Sequence, residues 1–318
     1  DLIMAKQQIK FDFMAYRKIA AIGSLVLVLA SIISLGINQL NWGLDFTGGS
    51  LVEVEYEDAV TPESIRVQLI DAGFDGHVVQ YFGSDRDILV RVPPQKNLTE
   101  RENARLGDQI LEALQASSNI GVSLRRSEFV GPAVGDELAN QGGLGMLAAL
   151  AMVMLYIAFR FQVKFAVGAV VALFHDVVIT LGAFSIFRWD FDLTVVAALL
   201  AVIGYSLNDT IVVSDRIREN FRKIRRGTSI EIINISLNQT LGRTIVTSLT
   251  TLLVLSALFI LGGELIRGFS IGLILGVVIG TYSSIYVAAN TMIAMGISKE
   301  DLAVPVKEGQ DDPDLLGS

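Results

Sequence analysis

The chain has 318 residues, of which 52% are hydrophobic and 18% charged. Its mean hydropathy of +0.53 is too high for a soluble protein of this length. The apolar residues are gathered into long runs, so the composition indicates a membrane protein. The formal net charge of −8 argues against nucleic-acid binding. The chain has no cysteine and two histidines, which excludes disulfides and thiolate metal sites, and we predict neither a metal nor a cofactor.

Six apolar runs are bounded by charged or turn-forming residues. Each is close to the ~20 residues that an α-helix needs to cross the hydrocarbon core of a bilayer. We interpret the first run as a retained anchor rather than a signal peptide, because it is long and no small-residue cleavage site follows it. The six predicted spans are 19–37, 142–160, 165–187, 193–214, 243–261 and 268–295.

Lysine and arginine near the span ends give the predicted orientation, because cytoplasmic loops carry an excess of both. One side has Lys6, Lys10, Arg17, Lys18, Arg160, Lys164 and the basic segment after the fourth span, whereas the short loops opposite hold only Arg188 and Arg267. The N-terminal segment 1–18 and the tail 296–318 are therefore predicted to be cytoplasmic, and the tail disordered. Segment 38–141 is predicted to be extracytoplasmic.

Segment 38–141 has a different pattern, with short alternating stretches typical of strands and two helical stretches between them. The predicted order is βαββαβ, which is typical of a ferredoxin-like split sandwich. The fold class is thus a membrane all-α six-helix bundle with an inserted α+β domain. The predicted elements are a strand at Leu51–Tyr56, a helix from Thr61 to Ala72, strands at Val78–Phe82 and Asp87–Val92, a helix at Thr99–Ser117 and a strand at Val122–Val130.

Asp209 lies within the predicted fourth span, in a polar run that also contains Ser206 and Asn208. Ionisable groups in hydrocarbon cost several kcal/mol, so such a residue is a candidate functional site. It lies ~24 Å along the helix from Leu193, in the predicted cytoplasmic half. The alternative is a structural cap near the cytoplasmic interface.

Arg243 opens the fifth span, and Thr247 follows one helical turn later. This polar stripe could face Asp209. An arginine close to the carboxylate would keep it ionised, and separation of the two in a dry interior would favour the protonated form, so the pair would act as an ion switch. The alternative for Arg243 is an ordinary positive flank whose side chain extends to the interface.

His175 and Asp176 lie near the middle of the third span, where Asp176 shares a small, polar helix face with Gly168, Ala172 and Thr180. This face must contact protein rather than lipid. Two interpretations remain open: a role in the ion path, or a hydrogen-bonded pair that only joins helices.

Small residues recur every four positions along the sixth span. Such a seam allows close backbone contact with another helix, of this chain or of another subunit, but it carries no chemistry. Its predicted packing residues are Gly268, Gly272, Gly276, Gly280 and Ser284.

Segment 215–242 is predicted to be a basic, amphipathic cytoplasmic loop. Ile217, Phe221 and Ile224 form an apolar stripe opposite its arginines and lysines. This pattern favours a helix that lies on anionic membrane lipid. Docking of a partner is the alternative.

Several longer blocks resemble the SecD/SecF family of protein-export membrane proteins, and its SecF members in particular. They are Trp42-Gly43-Leu44-Asp45-Phe46-Thr47-Gly48-Gly49, Glu128-Phe129-Val130-Gly131-Pro132, His175-Asp176-Val177, Gly204 to Arg226 and Gln239-Thr240-Leu241-Gly242-Arg243-Thr244. The resemblance extends from Asn41 through the sixth span.

The resemblance implies half of a transporter of the RND superfamily, in a bacterial inner membrane with segment 38–141 periplasmic. It implies pairing with SecD, and work with the SecYEG channel and the ATPase SecA on unfolded preproteins. In that scheme an ion moves inward through the membrane part, the family's fourth-span aspartate corresponds to Asp209, and its fifth-span arginine to Arg243.

We therefore expect an ion-coupled subunit that promotes late steps of protein export and is not an enzyme. The sequence contains no phosphate-binding glycine-rich loop, nucleophile elbow or zinc-binding histidine pair, so the energy must come from an ion gradient or a partner. The expected ion is the proton, with sodium as the alternative. Two other functions stay open: an RND-like transporter of a small substrate, and a non-transporting assembly factor that stabilises SecD.

Overall fold

The computed structural model describes residues 11–298 and 301, except 75, 96–97, 119, 225 and 264–265. Segment 1–10 and almost all of the tail predicted to be disordered lie outside the described residues. A short 3-10 helix, Phe13–Tyr16, leads directly into α1 (Arg17–Ile37). Asp12 caps this turn by accepting from Ala15 N, at 3.2 Å.

The inserted domain follows α1 and has the predicted βαββαβ order. Its sheet order is β3-β4-β2-β5 with every neighbouring pair antiparallel, as in a ferredoxin-like sandwich. The helix predicted at Thr99–Ser117 is two helices, which meet at Arg105. The elements are β1 (Asn41–Trp42), α2 (Leu44–Thr47), β2 (Gly49–Tyr56), α3 (Pro62–Asp71), β3 (Val78–Phe82), β4 (Ser84–Val92), α4 (Glu100–Ala104), α5 (Leu106–Ser117) and β5 (Val122–Val130).

The core of this domain lies between one face of the sheet and the helices α3 and α5. Alternate residues of β2 and β4, such as Val52 and Val90, are fully buried there against Ile65 and Ile110. The opposite sheet face buries Leu51 and Leu89 against Leu44 of α2.

The remaining helices form the membrane bundle. With α1, the described residues contain six helices that are long and apolar enough to cross a membrane. β6 (Asp190–Phe191) lies between the third and fourth of these helices. The five that follow the inserted domain are α6 (Pro132–Arg160), α7 (Val163–Phe187), α8 (Leu193–Lys223), α9 (Ser229–Leu261) and α10 (Arg267–Ala294).

The prediction of a lipid-bound amphipathic loop at 215–242 is wrong. Helix α8 continues to Lys223, and α9 begins at Ser229 behind a capping box of Thr228 and Glu231. Ile217, Phe221 and Ile224 are buried, in a protein core that includes Phe13, Met14, Ile232 and Ile233. Their periodicity was compatible with either environment, since an apolar stripe packs on protein as well as on lipid.

Two other helix bounds differ from the predicted spans because the helices extend beyond the apolar runs. Helix α6 begins at Pro132, ahead of the predicted start at residue 142, and its first turns carry Asp136 and Glu137. Helix α9 begins well before Arg243. A hydrophobic run marks the part of a helix that fits hydrocarbon, not where its backbone hydrogen bonds end.

The small-residue seam of α10 packs inside this chain, against α8. A Cβ atom added at Gly268, Gly272 or Gly280 would lie 3.0–3.1 Å from side-chain atoms of Val195, Ala198 or Ser206, respectively. At Gly276 it would lie 2.0 Å from Val202 Cγ2, closer than any real contact. Glycine therefore sets the distance between α10 and α8.

The inserted domain is joined to the bundle by residues that stand far apart in sequence. β1 pairs in parallel with β6, with Asn41 opposite Asp190 and Trp42 opposite Phe191. Asp45 accepts a hydrogen bond from the backbone N–H of Leu193 at 3.0 Å, which places a carboxylate of the domain at the N-terminus of α8.

Candidate ion-coupling site

Asp209 lies on the inner side of α8, and its carboxyl group is held by hydroxyl groups from two other helices. Thr244 of α9 donates to Oδ1 at 2.7 Å, and Ser284 of α10 donates to Oδ2 at 2.5 Å. The residue is only 8% exposed. Within the described residues, no lysine, arginine or histidine pairs with it.

Asp176 forms a second buried carboxyl centre, at the contact of α7, α8 and α10. It is 0% exposed. His175 Nδ1 lies 2.8 Å from Oδ1. Ser283 donates to Oδ2 at 2.7 Å, and Ser206 donates to the same oxygen.

The two centres are joined through consecutive residues of α10, since Ser283 bonds to Asp176 and Ser284 bonds to Asp209. Ser206 of α8 also connects them, because it bonds to Asp176 and lies one helical turn before Asp209. Any displacement of α10 along α8 therefore affects both carboxyl groups.

A further layer of hydroxyl groups lies one turn before the Asp209 centre along α8. Tyr205 donates to Ser248 of α9 at 3.2 Å, and Ser248 lies 2.7 Å from Thr281 Oγ1 of α10. The interface of α8, α9 and α10 is thus polar over two successive turns. Such an interface can exchange hydrogen-bond partners without exposing a charge to lipid.

Three of the predicted site residues lie away from the carboxylate. Arg243, Asn208 and Thr247 are all exposed on the outer faces of their helices. The hydroxyl of Thr247 donates to backbone oxygens of its own helix, those of Arg243 and Thr244. The predicted contact between Asp209 and Arg243 is absent from this conformation, because α9 turns Thr244 towards the carboxylate instead.

Sequence reasoning missed Thr244 and Ser283 and assigned Ser284 only to packing. A signal for Thr244 was present, since it lies next to Arg243 in a block that resembles the family. The sequence signal for Ser283 and Ser284 was weaker. Ser283 and Ser284 are adjacent polar residues inside a seam of small residues, a place where hydroxyl groups need partners.

The site combines two carboxyl groups with hydroxyl donors in the interior of a membrane bundle. A carboxylate without a cation is costly there, whereas a carboxylic acid is neutral and can both donate and accept. The geometry is therefore suited to a reversible uptake of a proton or a small cation by Asp209. The oxygen ligands of this site are compatible with either ion.

A cavity of about 660 Å³ lies at the junction of the inserted domain and the bundle. It is lined by charged residues of both parts, including Arg91 and Asp190, whose guanidinium and carboxylate groups are 2.6 Å apart. Arg91 also donates to the backbone oxygen of Trp42 at 3.3 Å. The residues that line this cavity therefore also join the inserted domain to the helix bundle.

These features define a class: a multi-pass membrane protein with a six-helix bundle, buried carboxyl groups and a ferredoxin-like domain inserted after the first helix. Two family profiles match the chain. The profile "Protein export membrane protein SecD/SecF, C-terminal" covers residues 109–298, and the profile "SecD/SecF GG Motif" covers residues 33–60. The chain belongs to the SecD/SecF family of protein-export membrane proteins.

Individual relatives agree with this. The protein translocase subunit SecF of Vibrio alginolyticus is 50% identical over 303 residues, which is 95% of each chain. SecF of Escherichia coli O157:H7 is 48% identical over 96% of this chain and 95% of its own.

Two solved structures share the fold. SecDF from Thermus thermophilus, described as a translocon-associated membrane protein, superposes with a TM-score of 0.80 at 38% identity. SecDF in a super-membrane-facing form gives a TM-score of 0.65 at the same identity. In both cases the match covers 90% of this chain but 38% of the other chain, so this chain spans well under half of SecDF.

Proposed function

We propose that the chain is a non-enzymatic auxiliary subunit of the Sec preprotein translocase in the bacterial inner membrane. Paired with SecD, it uses the proton motive force to promote late steps in the export of unfolded preproteins through SecYEG, together with SecA. The observation that supports this most strongly is the 50% identity to a translocase subunit along 95% of both chains. The match to 38% of the SecDF chain supports a partner that supplies the rest.

We infer that both termini are cytoplasmic and that the inserted domain is periplasmic. The excess of lysine and arginine at one set of helix ends supports this orientation. It puts β1, β6 and the N-terminus of α8 at the periplasmic surface.

In this proposal Asp209 is the coupling carboxyl group. It binds a proton from the periplasmic side and releases it towards the cytoplasm. Consecutive residues on an α-helix are about 100° apart around the axis, so a partial rotation of α9 would replace Thr244 by Arg243 beside Asp209. The carboxylate would then gain a cation, which favours release of its proton.

Helix α8 provides the connection to the inserted domain. Asp209 lies in its middle, and its first N–H groups are capped by Asp192 of the preceding turn and Asp45 of the domain. A change in the position of α8 at the ion site is therefore transmitted to the segment that anchors the domain. This gives a physical route from proton binding to movement at the periplasmic surface.

Export from proteoliposomes tests the function. Vesicles would contain SecYEG, with SecA and a radiolabelled preprotein, and either SecD alone or SecD with this chain. The protease-protected preprotein is measured with and without an imposed proton gradient. We expect gradient stimulation only when both SecD and the chain are present.

Two further arms separate the alternatives. A sodium gradient in place of the proton gradient should give no stimulation. If SecD alone responds fully to the proton gradient once its amount is matched, the chain is an assembly factor and the proposal is wrong. Flux of a small solute without preprotein would favour the small-substrate transporter instead.

A further inference from the structure

The proposed coupling mechanism leaves one buried pair of titratable residues unused, His175 and Asp176. Both oxygens of Asp176 are fully engaged: Oδ1 by the imidazole Nδ1 of His175, and Oδ2 by the hydroxyls of Ser206 and Ser283. The hydroxyl groups of Ser206 and Ser283 donate to this carboxyl group, and its ionised form can accept a third hydrogen bond from the imidazole of His175. In that form the Nδ1 atom carries the hydrogen of the His175–Asp176 bond.

The other ring nitrogen of His175 is the unusual feature. Nε2 is buried and has no hydrogen-bond partner within the part of the chain that the structure describes. The whole residue is only 4% exposed. With Nδ1 protonated, Nε2 of a neutral ring carries a lone pair that accepts no hydrogen bond from the described residues.

The charge balance of the pair points in the same direction. An ionised Asp176 beside a neutral His175 leaves one net negative charge at 0% exposure inside the bundle, which is costly. Binding of one proton at Nε2 converts the ring to imidazolium while Nδ1–H stays bonded to Oδ1, and the pair then has no net charge. The pair therefore has one place for one exchangeable proton.

Among the residues that the structure describes, the partners of Asp176 are His175, Ser206 and Ser283, and no lysine or arginine pairs with it. Helix α10 contributes Tyr282, whose ring stacks on that of His175 with centroids 6.1 Å apart. Helix α8 contributes Asp209, which is also acidic. The charged residues of helix α1 are Arg17 and Lys18, both in its first turn. Helix α6 contributes Asp136 and Glu137 near its start, Tyr156, and at its end Arg160, which pairs with Asp215 at 2.9 Å.

We propose that His175 and Asp176 form a second proton-binding site, separate from Asp209, with the proton held at Nε2 of His175. Ser283 and Ser284 place the two sites on adjacent residues of α10, so each site can respond to movement of this helix. Proton binding by the pair stands on the geometry alone. Its use in coupled export rests on the proposed function.

Nitrogen NMR of the histidines tests this directly, because the chain has only two histidines. His77 lies in the inserted domain, where its Nδ1 contacts the backbone oxygen of Phe74. In an H77Q variant of the full chain, labelled with 15N-histidine and reconstituted in vesicles, His175 gives the only imidazole signals. Its protonation is followed between about pH 5 and 9.

We expect His175 to pass from one protonated nitrogen to two as the pH is lowered, with a single proton bound. The doubly protonated form should disappear in D176N, because the imidazolium then has no counter-charge, and should persist in D209N. A His175 that keeps one neutral tautomer throughout this range would overturn the proposal. So would a doubly protonated form that is unchanged in D176N.

Adjacent serines provide matched variants. S283A removes a donor to Asp176, so it should displace the midpoint of His175 protonation in the NMR titration. S284A removes a donor to Asp209 only and should leave that midpoint in place, and equal displacement by both would contradict the assignment. If His175 titrates and D209N still exports with full gradient stimulation, the proposed function is wrong and this proton site stands. If His175 does not titrate and D209N loses gradient stimulation, this proton site is wrong and the proposed function stands.

Discussion

At the scale of single residues, the buried Asp209 depends on hydroxyl groups rather than on a cation. Thr244 supplies the donor to one carboxyl oxygen and Ser284 the donor to the other. Thr210, next to Asp209 on α8, is also buried, but its hydroxyl has no partner within the described residues. The hydroxyl of Thr244 therefore stabilises the fold through a hydrogen bond, whereas the buried hydroxyl of Thr210 does not.

Replacement of each threonine by valine tests this difference with the same change in shape. T244V leaves a buried carboxyl oxygen without its donor, so the free energy of unfolding should fall by about 1–3 kcal/mol. T210V removes a hydroxyl that makes no bond, so stability should stay within about 0.5 kcal/mol or rise slightly. Thermal unfolding of both variants in detergent gives the comparison, and an equal loss in both would contradict the assigned roles.

A second test at this scale concerns Gly49, at the start of β2. Its φ is +115°, and an added Cβ would lie 2.4 Å from the backbone oxygen of Val92. G49A should destabilise the chain by more than about 2 kcal/mol, because the strained backbone and the clash add. G73A is the control: Gly73 has φ of +85° but no atom within 4 Å of the added Cβ. A loss in G73A as large as that in G49A would show that the clash does not matter.

The residues of the candidate site could be predicted from sequence only where the residue type alone was informative. Asp209 and the His175–Asp176 pair were recognisable because ionisable groups are rare in apolar helices. Their partners were not, because which of Arg243 and Thr244 faces Asp209 depends on the rotation of α9. That rotation is fixed by contacts between helices, which one sequence does not contain.

At the scale of helices, the α8–α10 contact depends on glycines that permit close approach. G276A should cost about 1–3 kcal/mol, because its Cβ would overlap the side chain of Val202. G204A is a matched control within α8, where an added Cβ meets nothing within 4 Å. It should be neutral or stabilising by up to about 1 kcal/mol, since alanine favours helix over glycine.

A double variant sharpens this prediction. V202A removes the two methyl groups nearest to the position of the new Cβ, so G276A/V202A should lose less stability than the sum of the single variants. Unfolding in detergent measures all four proteins. Strict additivity would show that the seam is not limited by this contact.

The helices also show what periodicity can and cannot give. The six apolar runs and the βαββαβ order followed from local patterns. The apolar stripe of Ile217, Phe221 and Ile224 predicted a helix, but the pattern did not reveal that its neighbour is protein. An apolar stripe predicts that a helix face is buried, but not whether protein or lipid covers it.

At the scale of the whole molecule, the inserted domain is attached to the bundle through β1, β6 and the start of α8. Trp42 and Phe191 pair across this junction, with ring centroids 5.6 Å apart, and Arg91 bonds to Asp190. This junction could not be predicted from the sequence, because two-residue strands that are so distant in the chain leave no periodic signal. Its position explains how a carboxyl group in the bundle can be connected to a domain outside the membrane.

Gradient-driven export by the reconstituted complex with SecD tests most directly whether Asp209 couples an ion gradient to protein export. The D209N variant is compared with wild type and with D215N. Asp215 is the matched control, because it is a partly exposed carboxylate farther along α8 that pairs with Arg160 at 2.9 Å. Assembly with SecD is measured in each case by co-purification. We predict that D209N assembles but loses stimulation of export by the proton gradient, while D215N keeps it. Full gradient stimulation in D209N would show that Asp209 is a structural residue and would contradict this account.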